Sequence, residues 1–109
     1  MPKYLLIESR DPFESRDTEF LEQTATALRH RGHEVVVFLV QNGVLAVRQN
    51  ALGSYLGRLA SAGVTLLADD FSLDERGIQP AELQPGIQRS DIEALVDALV
   101  QEETKAIWH

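Results

Sequence analysis

Polar side chains that could bind or transform a ligand follow the apolar runs of this chain. They are Glu8, Ser9 and Arg10 after the first run, Asn42 after the second and Asp69 after the third. Carboxylates accept hydrogen bonds or protons, amides orient polar groups, and arginine binds anions. In an open parallel α/β sheet, ligands bind outside the carboxyl ends of the strands. We therefore expect these residues to line one ligand-binding crevice.

His109 is a further candidate for this crevice, because it follows Trp108 in a short apolar segment. Its imidazole titrates near neutral pH, and a tryptophan in an apolar strand is usually packed and would hold its neighbour in place. An acid/base pair of His109 with Asp69 is one chemistry that these residues would support. The spacing between them has no specificity for a metal, so we predict no metal site.

Each candidate also has a purely structural interpretation. Asp69 stands where an N-cap would satisfy the free N–H groups of a short helix. Asn42 precedes a glycine, as is common in turns, and Arg10 has nearby acids for a surface ion pair. The sequence leaves both interpretations open.

Length and composition exclude several classes of protein. The 109 residues predict one domain over 1–109, and 44 % hydrophobic with 25 % charged residues is ordinary for a folded soluble protein. A formal charge of −7 without a dense Lys/Arg cluster argues against nucleic-acid binding. The apolar runs are strand-sized, so we expect no membrane span and a cytoplasmic location. The chain has no cysteine, which excludes thiolate and persulfide chemistry on its own side chains.

The hydrophobic pattern predicts alternating strands and helices. Acids lead and bases close the first helix, Gly77 is expected to end the helix 69–76 in the left-handed conformation, and Ser90 with Glu93 has the spacing of a capping box. The predicted strands are residues 3–8, 33–40, 64–68, 86–89 and 105–108, and the predicted helices cover 17–31, 44–48, 52–62, 69–76 and a last segment after Ser90. This order predicts a three-layer α/β/α sandwich with a mostly parallel sheet of about five strands, in a flavodoxin-like layout.

Two classes with this layout do not match the residues. The first loop, residues 9–15, has no glycine and two acids, so it does not suit a flavin phosphate. A response-regulator receiver would need a lysine near the end of the last strand, whereas Lys105 begins it. The chain also lacks the G-x-G-x-x-G motif of dinucleotide sites. We therefore predict no cofactor.

Four segments of the chain point to a known family, and they are Tyr4 to Glu8, Phe38 to Val44, Leu67 to Asp69 and Glu75 to Ile78. Together they resemble the DsrE/DsrF/TusD-like family over nearly the whole chain. The most specific part is residues 66–78, where the sulfur-relay members of that family carry a cysteine eight residues before the glycine of an R-G-[IV] ending. Counting back from Gly77 gives Asp69.

The resemblance implies a DsrE-like fold and homo-oligomers, trimers or hexamers, in which relay members pass sulfur as a cysteine persulfide. A carboxylate at position 69 cannot carry sulfur in this way. Our leading hypothesis is a DsrE-like protein that binds a small molecule or a partner protein without carrying sulfur. The alternatives are a small enzyme using Asp69 and His109, and a non-catalytic subunit of a sulfur-trafficking complex. We expect the subunit contact to use apolar residues interpreted as exposed, Val44, Leu45, Val47, Leu52, Tyr55 and Leu56.

Overall fold

The structure is a computed structural model that describes residues 3–10, 17–48, 55–101 and 103–108. Its centre is a five-stranded sheet in the order β4-β3-β2-β1-β5, and every strand pair is parallel. The strands are β1 Lys3–Glu8, β2 Glu34–Leu39, β3 Thr65–Asp69, β4 Ile87–Ser90 and β5 Thr104–Trp108. The helices are α1 Asp17–His30, α2 Tyr55–Ser61, α3 Asp70–Glu75 and α4 Ile92–Leu99, with 3₁₀ helices at Gln41–Val47 and Pro80–Glu82.

The apolar strands form because continuous β-branched and leucine runs suit a sheet that is buried on both faces. In β2 the last five residues, Val35 to Leu39, are all buried. Parallel register places Leu6 opposite Val37 and Ile7 opposite Phe38. Successive side chains of a strand point to opposite faces, so each strand contributes to two separate cores.

The larger core lies on the face covered by α1 and α2, with Leu73 of α3 added at one end. Leu21 and Ala25 of α1 and Leu56 and Leu59 of α2 are buried against this face. Burying each of these leucine side chains stabilises the fold by about 1.5–3 kcal/mol. This core therefore holds α1, α2, α3 and the 3₁₀ helix Gln41–Val47 against the sheet.

The opposite face is covered more thinly. Its core contains side chains from β1 and β2 and one buried residue of α4, Leu95, with Ala98 packed beside them. Several other apolar side chains on or near α4 remain exposed to solvent, and these are Phe71, Ile92, Val96, Leu99, Val100 and Trp108. The side of α4 that faces the sheet is thus buried through Leu95, while the apolar residues around it face solvent.

The predicted fold is confirmed, and three local predictions are wrong. Ser90 is the last residue of β4, and Asp91 caps α4 instead by accepting a 2.9 Å hydrogen bond from Ala94 N. Trp108 is 64 % exposed rather than packed. The predicted subunit contact is also wrong, because its members belong to the core: Val44, Val47, Tyr55 and Leu56 are all buried.

Leu45 of that set is half-buried, and Leu52 lies outside the described residues. The prediction that Gly77 ends α3 in a left-handed conformation is confirmed by its φ of 66°. In the described part of the chain, no helix is both long and apolar enough to cross a bilayer.

Candidate functional site

A crevice opens at the carboxyl ends of β2 and β3, between the turn that starts α3 and the exposed side of α4. Its cavity volume is about 580 Å³, within the range of sites that bind small molecules. One wall comes from the segment after β2 and from β3 and α3, and its polar members are Gln41, Asn42, Asp69, Ser72, Glu75 and Arg76, with Val40 and Phe71 beside them. The other wall comes from α4 and β5 and is apolar, with Ile92, Leu95, Val96, Leu99 and Trp108.

Asp69 and Ser72 form the inner part of the polar wall. Asp69 is the N-cap of α3, and its Oδ2 accepts hydrogen bonds from Ser72 N at 3.0 Å and Ser72 Oγ at 2.7 Å. The same hydroxyl accepts a 2.8 Å hydrogen bond from Gln41 N. Both side chains are buried. The Ser72 hydroxyl therefore joins the segment that follows β2 to the start of α3.

Gln41 needs this connection because its backbone is in the left-handed region, with φ of 51°. That conformation costs a residue with a side chain about 1–2 kcal/mol. The hydrogen bond to Ser72 helps to offset the strain at the point where the chain leaves β2.

Gly43 brings the loop after β2 close to β1. A Cβ atom at this position would lie 2.3 Å from the carbonyl oxygen of Glu8 and 3.1 Å from its carbon. Val40 N also donates to the Glu8 carbonyl at 3.0 Å. A glycine is therefore required here for close approach of two backbone segments.

Arg76 extends the polar wall outward. Its Nη2 and Nε donate to Asn42 Oδ1 at 3.0 and 3.4 Å, and its Nη1 donates to the Ser72 carbonyl at 3.2 Å. Three of its five N–H groups are thus used, and the guanidinium is held in one orientation while the residue stays half-buried. The Asn42 side chain positions the arginine.

No described carboxylate forms an ion pair with Arg76, in contrast to two other arginines of the chain. Arg58 pairs with Glu22 at 2.6 Å, and Arg89 pairs with Asp70 and Asp74. Hydrogen bonding to Glu22 raises the pKa of Arg58, and hydrogen bonding to Asp70 and Asp74 raises the pKa of Arg89. Arg76 is a fixed cation whose charge is not neutralised by a described neighbour.

The predicted site residues have different positions in the structure. Asp69 and Asn42 are brought together in the crevice. Glu8 is fully buried, and its register opposite Leu39 places it on the face covered by α1 and α2, away from the crevice. Ser9 and Arg10 follow β1 and are not among the described lining residues, and His109 lies outside the described residues.

Sequence reasoning missed Gln41, Ser72 and Arg76. Ser72 had a signal, since a helix-capping aspartate accepts a hydrogen bond from the residue three positions later. Arg76 follows Ser72 by one helical turn and therefore projects from the same side of α3. The hydrogen bond from Arg76 to Asn42 joins residues that are 34 positions apart, so no local pattern in the sequence predicts it.

Other features of the surface do not compete with this crevice. A concavity of about 590 Å³ lies along the outer side of α1, and its described lining is Glu19, Glu22, Gln23, Thr26, Ala27, His30 and Arg31. Its described lining comes from α1 and Arg31 and includes no residue at the carboxyl end of a strand. Among the described residues, no group of three His, Asp or Glu side chains is arranged to hold a metal ion.

The sequence of the chain matches a known family. The DsrE/DsrF-like family profile matches residues 2–107. The chain belongs to the DsrE/DsrF-like family. A search of curated proteins finds no significant match.

Solved structures with the same fold include three bacterial or archaeal proteins. The YchN protein from E. coli has a TM-score of 0.89 at 19 % identity, with 100 % of each chain covered. Protein MTH1491 from Methanobacterium thermoautotrophicum has a TM-score of 0.81 at 18 % identity, with 98 % of this chain and 97 % of that one covered. Protein BT1422 from Bacteroides thetaiotaomicron has a TM-score of 0.79 at 17 % identity, covering 99 % and 95 %. At these identities the likeness establishes the fold of this DsrE-like chain.

Proposed function

We propose that this DsrE-like protein binds a small molecule non-covalently in the crevice and does not carry sulfur on its own side chains. The observation that carries the proposal is the combination of a polar and an apolar wall around a cavity of about 580 Å³ at the strand ends. Such a cavity can bury an organic ligand while a few polar groups fix its orientation. In a parallel α/β sheet, this edge is the expected place for a ligand.

The role of Asp69 supports non-covalent binding. A persulfide carrier needs a thiolate, and the chain has no cysteine. Asp69 instead accepts two hydrogen bonds from Ser72 and shapes the polar wall. Its carboxylate thus has a structural reason to be present at this position of the fold.

We further propose that the protein is a homo-oligomer, a trimer or a hexamer, whose subunits meet along the exposed side of α4. Val100, at the C-terminal end of α4, is 76 % exposed and does not line the crevice, so it can contact a partner while the lining residues stay available to a ligand. Contiguous exposed apolar residues of this kind mark interaction surfaces. A second copy at this surface would also cover the mouth of the crevice.

Native mass spectrometry of the protein, purified gently from its own organism, tests both proposals together. We expect a trimer or hexamer that retains a fixed additional mass. Val100→Asp, at a position outside the crevice lining, should dissociate the oligomer without unfolding the chain, and Ala27→Asp, which adds the same charge at an exposed position of α1, is the matched surface control. A monomeric wild-type protein would contradict the oligomer. A protein that retained no additional mass and also bound no added aromatic dye would contradict the ligand site.

Two alternatives stay predictions. An acid/base pair of Asp69 and His109 would lose all turnover in Asp69→Asn, a change that keeps an N-cap residue. A non-catalytic subunit of a sulfur-trafficking complex would copurify with sulfur-metabolism proteins at fixed stoichiometry. Neither alternative has a described contact in its favour, whereas the ligand-binding proposal has the cavity.

A further inference from the structure

We infer that the ligand of this crevice is an organic anion with an apolar body, whose acidic group binds Arg76 and whose apolar part packs on α4 and Trp108. The inference rests on the proposed function and adds the chemical class of the ligand. It depends on the cation in one wall, the apolar surface in the other, and the way in which the carboxylates of the crevice are placed.

Arg76 has unused binding capacity. Three of its N–H groups bind Asn42 and the Ser72 carbonyl, and among the described residues none binds the remaining N–H on Nη1 or on Nη2. These N–H groups can donate to the oxygens of a carboxylate, sulfonate or phosphate. Because Asn42 and Ser72 already hold the guanidinium, an incoming anion need not order it.

The opposite wall suits carbon rather than charge. Leu99 is 41 % and Trp108 is 64 % exposed, and both line the crevice together with Ile92 and Val96. An aromatic or aliphatic group placed there would remove apolar surface of both partners from water. A small inorganic anion would leave this wall uncovered, so it does not match the site as well.

Two carboxylates also line the crevice, but neither occupies the position of the anion. Asp69 is 8 % exposed, and its Oδ2 is used by Ser72. Glu75 is exposed and forms no ion pair with Arg76. Their repulsion would weaken an anion that sits deep in the crevice, so the acidic group should bind at the outer N–H groups of Arg76.

The test uses two dyes with the same aromatic body, anilinonaphthalenesulfonate and the uncharged N-phenylnaphthylamine. Trp108 is the only tryptophan of the chain, so energy transfer from it reports that a dye has bound, and the effect of variants that line the crevice reports where it has bound. We expect the sulfonate to bind with transfer from Trp108. Arg76→Gln should weaken it about tenfold or more and leave the neutral dye unchanged, because only the anion uses the guanidinium.

Variants separate the two walls. Arg58→Gln removes the same charge from an exposed arginine outside the crevice and should change neither dye. Val96→Asn should weaken both dyes, since it alters the shared apolar wall. The unchanged affinity of the neutral dye in Arg76→Gln shows that this variant is folded, and Arg76→Lys should give an intermediate affinity for the sulfonate because the charge remains.

The outcomes distinguish the inference from the proposed function. If both dyes bind with equal affinity and Arg76→Gln weakens neither, the inference of an anionic ligand is wrong, and the crevice is a site for apolar molecules. Absence of energy transfer with either dye would overturn the crevice as a ligand site. Arg76-dependent sedimentation with anionic phospholipid vesicles would reassign the anion to a membrane surface and overturn a free small molecule.

Discussion

Ser72 donates two hydrogen bonds to one oxygen of Asp69, from its backbone N–H at 3.0 Å and from its hydroxyl at 2.7 Å. The hydroxyl also accepts a hydrogen bond from Gln41 N, so Ser72 Oγ connects the 3₁₀ helix after β2 to the start of α3. The crevice therefore depends on a buried polar connection as much as on the fold around it. Groups of this kind cost free energy when one partner is lost, since the others remain buried.

Replacing Ser72 with alanine should lower the free energy of unfolding by about 1–3 kcal/mol, because Gln41 N and Asp69 Oδ2 each lose a partner in a buried site. Chemical denaturation measures the change. Ser61→Ala removes a hydroxyl from an exposed position of α2 and should stay within about 0.5 kcal/mol. Equal small effects of both changes would contradict the role given to Ser72.

Glycine-to-alanine changes at two positions should have opposite signs. At Gly43 the new Cβ would meet the Glu8 carbonyl oxygen at 2.3 Å, so we expect a loss of about 3 kcal/mol as two backbone segments separate. At Gly57, within α2, nothing lies within 4 Å, and alanine should stabilise the helix by about 0.5–1 kcal/mol. Thermal unfolding of both variants checks the pair, and a stable Gly43→Ala protein would show that the loop after β2 can move away from β1.

Much of the fold was predictable from the sequence because periodicity and chain order determine it. The run from Val35 to Leu39 and the glycine after α3 fixed a parallel strand and a helix end by local rules. The site was predictable only in part. Asp69 and Asn42 follow strands that the topology makes neighbours, whereas the face to which Glu8 points depends on its register opposite Leu39.

The remaining errors concern burial. The segment after β2 has the apolar residues of an interface, yet its 3₁₀ helix and α2 fold back on the sheet and bury Val44 and Leu56 completely. No pattern in the sequence separates a helix that covers its own sheet from one that covers a neighbouring subunit, because both need an apolar side. The opposite mismatch occurs at α4, where Ile92, Val96, Leu99 and Val100 recur at helical spacing and yet stay exposed, while only Leu95 of this apolar set is buried.

Leu56 and Val100 should therefore respond differently to truncation. Leu56 is fully buried, so Leu56→Ala should cost about 2–5 kcal/mol of unfolding free energy in the folded subunit. Val100 is 76 % exposed, so Val100→Ala should change the stability of an isolated subunit by less than about 0.5 kcal/mol. Denaturation at a protein concentration low enough to dissociate oligomers measures both. A large loss at Val100 under those conditions would mean that its environment within the subunit is buried.

The ion pair of α1 with α2 should make stability depend on pH. The hydrogen bond from Arg58, opposed by partial burial and aided by its charge, holds the pKa of Glu22 below its usual value. A lowered pKa in the folded state contributes stability above the unfolded-state pKa, and this contribution is lost as pH falls through the folded-state pKa. Glu22→Gln should thus destabilise the protein at neutral pH, and its effect should shrink at acid pH as the pH falls through the lowered pKa of Glu22.

The effect should be modest, because the Arg58 side chain is 59 % exposed and solvent screens the pair. Arg58→Gln serves as the matched partner variant and should show the same pH dependence. Denaturant unfolding at the two pH values, with an NMR titration of the Glu22 carboxyl group, measures it. A loss in Glu22→Gln that is as large at acid as at neutral pH would assign the effect to packing instead of the ion pair.

Asp69→Asn separates the structural from the ligand-binding role of this position. Asparagine is as good an N-cap as aspartate, and its side-chain oxygen can still accept from Ser72, so stability should change by less than about 1 kcal/mol. If the ligand is an organic anion bound at Arg76, removing a negative charge from the crevice should tighten the binding of anilinonaphthalenesulfonate. The neutral dye should not change, because it has no charge for Asp69 to repel. Weaker binding of both dyes in a stably folded Asp69→Asn protein would instead make the Asp69 carboxylate a direct ligand contact.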